Sequence, residues 1–360
     1  MEHNQDHFMR IDTQILARNA KTCIESVQVP VIAVVKMDGY GVGIIRAAEI
    51  WRSAGASMFA VSEPREALAL RQAGFTEDIL LMAPVAEADT LDRLLEAGII
   101  LTVTDPDNAR FYLSRGQGGI VRAHAKVDVG MGRFGDYNCA GLMEIYEMEG
   151  LQVEGIYAHF SKSFEKKYKV TGRQLEDFLG IVGRLEKDGY KPGIRHIANS
   201  CAALRFPQTR LDAVRLGSAL VGALLAPAPV KLELAHNICA RVVAVKELCK
   251  GDTLGYAACC KAKKDTTAVV VALGFYYGYG MTAAPDPFPA RDFGVYLYHL
   301  WQRWRNPPVL YWQGTPLKLV GRVGSQYTLF DATDVVGIAP GDLVTGRMNL
   351  LQYTGRREYV

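Results

Sequence analysis

The chain has 360 residues, of which 49% are hydrophobic and 22% are charged, and its net charge is +3. This length is enough for two domains, and the composition is that of a folded protein rather than a disordered one. Lys and Arg are spread without a basic tract, which argues against nucleic-acid binding. The longest apolar run, 216–230, contains Pro227 and Pro229 and is too short to span a membrane. The N-terminus MEHNQDHF is too polar for a signal peptide. We therefore expect a cytoplasmic protein that binds neither nucleic acid nor membrane.

The seven cysteines have no framework spacing, which indicates reduced thiols rather than disulfides. Cys259 and Cys260 are adjacent, but no second pair and no histidine follows nearby to complete a metal site. We expect no metal.

Over the first two thirds of the chain, short apolar runs rich in β-branched residues alternate with segments of helical spacing. After the first run, Ile44, Ala47 and Trp51 share one face of a predicted helix. Ser62 is placed to cap the next helix, with Pro64 in its first turn. Further helices are predicted over 138–147 and 171–187. The predicted strands are 31–36, 58–62, 79–82, 99–103, 122–127, 153–160, 194–197 and 213–216.

About eight strands with crossover helices predict the α/β class and a (β/α)8 TIM-like barrel. A doubly wound open sheet is the alternative, but no GxGxxG motif follows an early strand. Beyond Pro229, strand-like runs separated by turn signals predict a mainly β domain. We assign 1–228 to the barrel, whose first strand could pack with the β domain, and 229–360 to the C-terminal β domain. The aromatic stretch within 285–312 fits a buried helix, a lid, a subunit interface or plain surface cover.

Lys36 follows an apolar strand in the motif VVKMDGYGVG, residues 34–43. The carboxyl ends of barrel strands form the active-site face, and a lysine packed there can have a lowered pKa and attack an aldehyde. The alternative is a lysine whose amine simply reaches solvent at a strand end.

Two more strand ends carry charged or titratable side chains. The motif AKVDVGMGRFG, residues 125–135, contains Lys126, Asp128 and Arg133, and an arginine there can grip a carboxylate with two hydrogen bonds. A structural ion-pair cluster is the alternative. His159, in YAHFSKS, ends another strand and is either structural or catalytic.

The segment 196–217 places Ser200 after the seventh strand and RLGS, residues 215–218, after the eighth. Loops at these two positions commonly bind phosphate in barrels, through backbone N–H groups and hydroxyls.

Together these motifs resemble the alanine racemase family of two-domain pyridoxal-phosphate enzymes. The matching blocks run from about residue 9 to the end in the family's order: VVKMDGYGVG, KVDVGMGRFG, AHF, HIANSCAAL, VRLG, LGYA, LVGRV, DATDV and YTGRREYV. The resemblance implies an amino-acid racemase that binds pyridoxal 5'-phosphate and acts on a small amino acid, alanine first. It also implies a homodimer in which the β domain completes the partner's active site.

The resemblance implies a role for each matching residue. Lys36 would form a Schiff base with the cofactor and serve as one base, and Tyr256 would be the second base, reaching the site from the neighbouring subunit. Arg133 would bind the substrate carboxylate, and Lys126, often carbamylated in the family, would hold that arginine. The remaining residues match cofactor contacts: Tyr40, Ser200, Gly217, Ser218 and Tyr353 for the phosphate, and Arg215 with His159 beside it for the pyridine nitrogen.

Arg215 also argues for racemisation on its own chemistry. Most pyridoxal-phosphate enzymes place a carboxylate at the pyridine nitrogen, whereas a guanidinium only donates hydrogen bonds and leaves that nitrogen unprotonated. This favours simple proton exchange over decarboxylation.

The chain departs from the family at the mouth of the site. The family's Cys-Met-Asp-Gln run is replaced by Gly324 to Tyr327, and Phe275 stands where a phenol is usual. Ser325 keeps a backbone N–H for the substrate carboxylate, while Gln326 removes a negative charge. Serine or a larger amino acid is therefore an open alternative, as are a decarboxylase and a non-catalytic pyridoxal-phosphate-binding protein on the same scaffold.

Overall fold

A computed structural model describes residues 6–135, 139–254, 260–281, 293–305 and 308–360. The chain divides into two compact units, one spanning Thr13–Ala235 and the other combining the N-terminal segment up to Asp12 with His236–Val360. The assignment of 1–228 and 229–360 to two domains stays a prediction. Asn19 holds the backbone of Glu233 within the first unit: its amide donates to the Glu233 carbonyl (2.7 Å), and its side-chain oxygen accepts from the Glu233 N–H (3.1 Å).

The first strand, β1 (His7–Ile11), belongs to the mainly β unit. The α/β unit then alternates helices with short strands. Its helices are α1 (Thr13–Val27), α2 (Lys36–Tyr40), α3 (Ile44–Ser53), α4 (Pro64–Gln72), α5 (Ala88–Glu96), α6 (Pro106–Arg115), α7 (Cys139–Glu147), α8 (Lys169–Lys187) and α9 (Ser200–Arg205). Its strands are β2 (Val31–Val34), β3 (Met58–Val61), β4 (Ile79–Leu81), β5 (Leu101–Val103), β6 (Val121–Lys126), β7 (Leu151–Tyr157), β8 (Ile194–His196) and β9 (Val214–Leu216).

These eight strands form two parallel four-stranded sheets, in the orders β4-β3-β2-β9 and β5-β6-β7-β8. A parallel bridge between Leu80 and Ile100 links one pair of sheet edges. Near the other pair, the Arg215 N–H donates to the Ala198 carbonyl at 3.0 Å. The predicted α/β class is confirmed by these parallel pairings, and every strand lies within three residues of its predicted bounds.

The core of this unit draws side chains from both sheets. One buried cluster contains Ile32, Val34, Met58, Ala60, Leu80, Ile100, Tyr157 and Ala213, with Tyr40 and Met82 packed against it. Because alternate residues of a strand point to the same face, these positions place one side of each contributing strand in a shared interior.

The start of α4 differs from the prediction. Glu63, not Ser62, is the N-cap, and its side chain forms a reciprocal capping box with Glu66. Ser62 instead donates its backbone N–H to the Glu66 carboxylate at 3.0 Å. Glu66 thus accepts two orphan N–H groups at the helix start, which a single serine hydroxyl would not do.

The second unit is mainly β, as predicted. Its remaining elements are β10 (His236–Leu248), β11 (Thr253–Leu254), β12 (Cys260–Lys261), β13 (Thr266–Val271), α10 (Phe293–Arg305), β14 (Val309–Trp312), β15 (Thr315–Leu319), β16 (Thr328–Asp331), β17 (Leu343–Gly346) and β18 (Arg357–Tyr359). The large sheet has the order β13-β16-β15-β14-β17-β10-β1-β18, and β10 also pairs with β13. Six of its strands therefore close on themselves through the long β10, which bulges between Val242 and Ala244.

The aromatic stretch contains α10, and its described side chains are exposed rather than buried. Phe293, Leu297 and Trp301 are each about half exposed, and Tyr298 stacks on Trp301 with ring centroids 6.1 Å apart. This excludes the buried-helix interpretation for these residues. Among the helices in the described ranges, none combines the length and apolar content needed to cross a membrane.

Candidate active site

Lys36 stands just beyond β2 and begins α2, a short element whose following residues turn in the left-handed sense rather than as a right-handed helix. Met37, Asp38 and Tyr40 have φ values of 54°, 55° and 55°, in a region that non-glycine residues rarely adopt. The Asp38 carboxylate accepts the N–H of Ile44 at 2.8 Å and so joins this turn to α3. Strained backbone of this kind concentrates at functional sites, where it fixes a side chain in one direction.

The Lys36 amine lies in a positively charged environment. Burial lowers its pKa, and the nearby charges of Arg133 and Arg215 lower it further, while Glu66 opposes them. A lysine with a lowered pKa holds a larger fraction of neutral amine, which is the form that attacks an aldehyde or accepts a proton.

Arg215, in β9, is buried and bonded in several directions. One guanidinium nitrogen donates to the carbonyl of His196 (2.9 Å) and contacts its Nδ1 (2.7 Å). The other donates to the carbonyls of Ala158 (2.7 Å) and Ile197 (3.3 Å) and lies 3.3 Å from Nδ1 of His159. Burial lowers the Arg215 pKa to about 10, so the group stays cationic near neutral pH.

These contacts fix the protonation of two buried histidines. Because a guanidinium only donates, Nδ1 of His196 accepts from Arg215, and its proton therefore sits on Nε2. That nitrogen lies 2.9 Å from Nδ1 of His124, which must then be the acceptor. Burial and the charge of Arg215 lower the pKa of both imidazoles, that of His124 to about 4. Arg215 is thus backed by neutral imidazoles.

Tyr157 connects this network to Lys126. The ring of Tyr157 stacks on His196 at 4.9 Å, and the Arg215 guanidinium and the Lys126 amine each lie 5.1 Å from its centroid. Lys126 ends β6, donates to the Val127 carbonyl at 2.6 Å, and has its pKa lowered to about 7, mainly by burial. Cation–π contacts of this geometry are favourable when they are removed from water.

The turn that follows β6 is organised by Asp128. Its buried carboxylate accepts the backbone N–H groups of Gly130 (2.9 Å), Met131 (2.7 Å), Gly132 (2.6 Å) and Arg133 (3.2 Å). The Arg133 side chain is exposed and lies 5.6 Å from the ring of Phe134. Asp128 therefore fixes the backbone from which Arg133 extends, rather than pairing with its guanidinium.

Three predicted phosphate contacts meet: Ser200 after β8, Gly217 after β9 and the ring of Tyr40. The Ser200 hydroxyl accepts the N–H groups of Gly217 (3.0 Å) and Ala219 (3.4 Å). Asn199 caps α9, so Ser200 begins that helix instead of standing in a loop. A Cβ at Gly217 would overlap the hydroxyl end of Tyr40, so only glycine lets that ring approach the backbone here.

A pocket of about 270 Å³ brings most of these residues together. Seven predicted site residues line it: Lys36, Tyr40, His159, Ser200, Arg215, Gly217 and Ser218. Met131, Ser163, Phe164 and Leu225 contribute to its wall. Lys126 and Arg133 are not among the lining residues. The charge of Arg133 lowers the pKa of Lys36, and the charges of Lys126 and Arg215 act on each other.

The mainly β unit carries the other predicted residues, and each is described within that unit. Tyr353 is buried, its hydroxyl donating to the His7 carbonyl (3.3 Å) and lying 3.0 Å from His7 Nδ1. The backbone oxygens of Gly324 and Ser325 accept the N–H groups of Phe275 (2.9 Å) and Tyr276 (3.0 Å). Gln326 is exposed. Tyr256, the predicted second base, lies outside the described residues.

The 324–327 turn accounts for the glycine at position 324, where the family pattern has a cysteine. A Cβ on Gly324 would overlap the carbonyl oxygen of Tyr327, so the turn is tighter than a cysteine at that position would permit. Phe275, Tyr276 and Tyr327 are about half exposed or more beside it.

Comparison with known proteins agrees with this geometry. Residues 11–224 match the N-terminal domain of alanine racemase and residues 235–352 match its C-terminal domain. The chain belongs to the alanine racemase family. An alanine racemase of Desulforamulus reducens is 35% identical over 259 residues, covering 69% of this chain and 70% of that protein. One from Methanococcus maripaludis is 29% identical over 350 residues, covering 94% of this chain and 88% of the relative.

Solved structures resemble the fold over nearly the whole chain. The alanine racemase of Bacillus anthracis with bound L-Ala-P has a TM-score of 0.84 at 25% identity and covers 100% of this chain and 96% of its own. That of Clostridium difficile 630 has a TM-score of 0.85 at 22% identity, covering 99% and 96%. The family membership expected from the motifs is confirmed, and so is the expectation of an isomerase-type enzyme.

The residues of the pocket fit the cofactor that the motifs imply. Pyridoxal 5'-phosphate needs an amine for its aldehyde, donors for its phosphate dianion and a partner for its ring nitrogen. Lys36 offers the amine, the hydroxyls of Ser200 and Ser218 offer donors for the phosphate, and Arg215 offers a charged donor. Lysine and arginine charges dominate this site, so an anion is the natural ligand.

Several site residues were not singled out from the sequence. His124, His196 and Glu66 carry the contacts that hold Arg215 and α4, yet each lies in a motif or helix that reads as structural. The available signal was a polar residue within a buried strand, at His124 in β6; His196 is buried at the end of β8, which is otherwise partly exposed.

Proposed function

We propose that this protein is a pyridoxal-phosphate-dependent amino-acid racemase that interconverts L- and D-alanine by two-base proton transfer at Cα. The observation that carries the proposal is the Lys36 amine, whose pKa is lowered by burial and two arginines, in a pocket that also contains phosphate donors and Arg215. Family membership supports the same reaction.

Each residue has a defined task in this reaction. Bound pyridoxal 5'-phosphate supplies the electron withdrawal that acidifies the substrate Cα–H bond. Lys36 holds the cofactor covalently and moves a proton at its Nζ. Ser200 and Ser218 would bind the phosphate through their hydroxyls, and the Gly217 N–H would hold the Ser200 hydroxyl in place. Arg133 orients the substrate carboxylate from the turn that Asp128 fixes.

Arg215 supports racemisation over the decarboxylase alternative. Its guanidinium is buried, cationic and held by carbonyls and neutral imidazoles, so it offers the ring nitrogen a donor and no carboxylate. Proton exchange needs only a modest electron sink, whereas a fully protonated ring would also promote other bond cleavages. The match of residues 235–352 to the C-terminal domain of alanine racemase argues against a non-catalytic cofactor-binding protein made of the barrel alone.

We further propose that the protein is a homodimer with composite sites. Tyr256 would be the base on the opposite face of the substrate, Ser325 and Gln326 would help to define the substrate end of the partner's site, and Tyr353 would contact the phosphate. Within the α/β unit, the Leu80–Ile100 bridge, the Arg215–Ala198 bond and the shared core support closure of the eight strands into a (β/α)8 barrel. A cytoplasmic location stays a prediction.

A racemase of serine or a larger amino acid is the second candidate, on one specific observation. The tight turn at Gly324 and the exposed Phe275 and Tyr327 form a loop pair unlike the family pattern. In this second candidate the two loops border the substrate, and their side chains discriminate between amino acids by size. The aspartate of the family's run is absent, because Gln326 replaces it.

The test is Cα hydrogen–deuterium exchange followed by NMR, with purified protein and pyridoxal 5'-phosphate in D2O and a panel of L-amino acids. We expect exchange with inversion for alanine, abolished by Lys36→Ala and unchanged by Lys187→Ala, a control at an exposed lysine of α8. Exchange for another amino acid alone would select the second candidate. No exchange with any amino acid, despite bound cofactor, would contradict the racemase proposal.

Complementation tests the composite site. Lys36→Ala and Tyr256→Phe homodimers should each be inactive. Mixed and re-associated subunits should recover up to about a quarter of the wild-type activity, because half the dimers are mixed and each mixed dimer has one intact site of two. Absence of recovery, with mixed dimers verified by mass spectrometry, would contradict sharing of the site between subunits.

A further inference from the structure

Glu66 is a buried carboxylate that reaches from α4 toward the turn that carries Lys36. Its side chain is 7% exposed. One carboxylate oxygen accepts the N–H groups of Ser62 (3.0 Å) and Glu63 (3.1 Å), and the other accepts the N–H of Asp38 at 3.4 Å. Asp38 lies outside α4 and its N-cap, so its contact with Glu66 is additional to helix capping.

The turn that Glu66 contacts is strained. Met37, Asp38 and Tyr40 all have positive φ, and such conformations persist only where the surroundings hold them. Side-chain contacts help to anchor this turn: Glu66 accepts from the Asp38 N–H, and the Asp38 carboxylate accepts from Ile44 at 2.8 Å. Glu66 therefore ties the direction of Lys36 to the frame of β3 and α4.

Glu66 also balances charge at the lysine. Within the described residues, Arg133 and Arg215 place positive charge near Lys36, and Glu66 opposes them with a negative charge. His159 faces the same pocket, with its pKa well below the ordinary value, and so stays neutral. Tyr40 is held in its phenol form because burial and Glu66 raise its pKa to about 12.

We propose that Glu66 is a positioning residue of the active site: its carboxylate holds the left-handed turn and supplies the negative charge that retains a proton at the Lys36 nitrogen against two arginines. The inference rests on the proposed function in one respect, that Lys36 is the cofactor-bearing amine. Glu66 would touch neither cofactor nor substrate and would act through Lys36 and Tyr40.

The test separates charge from helix capping. Glu66→Gln keeps the size and one acceptor oxygen but removes the charge, and Glu66→Asp keeps the charge on a shorter side chain. Glu87→Gln is the matched control, because Glu87 caps α5 by accepting from Asp89 (3.1 Å) and Thr90 (2.7 Å) and is exposed. For each variant, the visible absorbance of the cofactor bound to Lys36 is titrated with pH and the melting temperature is recorded.

We expect the absorbance midpoint of Glu66→Gln to move to lower pH by roughly one unit, because loss of a nearby negative charge disfavours the protonated nitrogen. Glu66→Asp should stay closer to the wild type, and Glu87→Gln should not move the midpoint although it lowers the melting temperature. If Glu66→Gln lowers the melting temperature like Glu87→Gln and leaves the midpoint in place, Glu66 is only a helix cap and the proposal is overturned.

A second readout keeps this result independent of the proposed function. Competitive acetylation of the cofactor-free protein, followed by mass spectrometry of the Lys36 peptide across pH, reports the protonation of the free amine. If borohydride reduction traps no cofactor on wild-type Lys36, the proposed function fails. The Glu66 inference then stands if acetylation at Lys36 shifts to lower pH in Glu66→Gln, and it is overturned if acetylation does not shift.

Discussion

Replacing Lys126 with methionine should stabilise the protein near neutral pH. The Lys126 side chain is 4% exposed, and burial with the charge of Arg215 lowers its pKa from 10.5 to about 7. A fall of this size corresponds to roughly 5 kcal/mol of cost for keeping the amine charged inside the fold. Methionine of similar length loses the bond to the Val127 carbonyl and the contact with Tyr157, together worth roughly 2 kcal/mol. The net expectation at pH 7 is a gain of about 2 to 3 kcal/mol.

The pH dependence is the sharper test. Because the pKa of Lys126 is lower in the folded state, the unfolded chain binds the extra proton between about pH 7 and pH 10.5. The stability of the wild type therefore rises with pH through this window relative to Lys126→Met. The advantage of Lys126→Met should fall by about 1.3 kcal/mol per pH unit between pH 8 and 9.5 and should change sign at about pH 9.

The assay is urea unfolding at fixed protein concentration and several pH values, in buffers free of carbon dioxide. Lys187→Met, at an exposed lysine of α8, is the control and should show no such slope. A Lys126→Met protein that is less stable than the wild type by the same amount at every pH would refute the reasoning. Adding bicarbonate at pH 8 should stabilise only the wild type if Lys126 forms a carbamate, since methionine cannot.

Two further predictions concern the turns of the site. Asp128→Asn should lower the free energy of unfolding by roughly 2 kcal/mol, because an amide nitrogen would face two of the four N–H groups that the carboxylate accepts. The same substitution should raise KM for the amino acid more than it lowers kcat, since Arg133 extends from that turn. Unchanged urea unfolding would contradict this. Gly217→Ala should weaken binding of pyridoxal 5'-phosphate about tenfold in a fluorescence titration, because the new Cβ displaces the Tyr40 ring. Gly180→Ala, where nothing lies within 4 Å, is its control, and equal affinity in both variants would show that the Tyr40 contact is irrelevant.

The site was predictable where chemistry follows directly from local sequence. Lys36, Lys126 and His159 each follow or end an apolar run, and parallel strands bring such positions to one edge. Motif order identified the family, which the comparisons confirmed. The sequence also shows that the family's run is replaced at Gly324. It does not show how tight that turn is, because the distance from a Cβ at 324 to the Tyr327 carbonyl oxygen depends on the backbone torsions.

The sequence by itself determined the alternation of strands and helices, because periodicity records which face of each segment is buried. It also determined the residue types at the strand ends. The tertiary structure alone decided which partners these residues have. His196 is 19 positions from Arg215 and 72 from His124, and Glu66 is 28 from Asp38. Contacts over such separations arise from strand order and register, which no local pattern records. The protonation of the histidines and the charge balance at Lys36 follow from those contacts, so they became visible only in the folded chain.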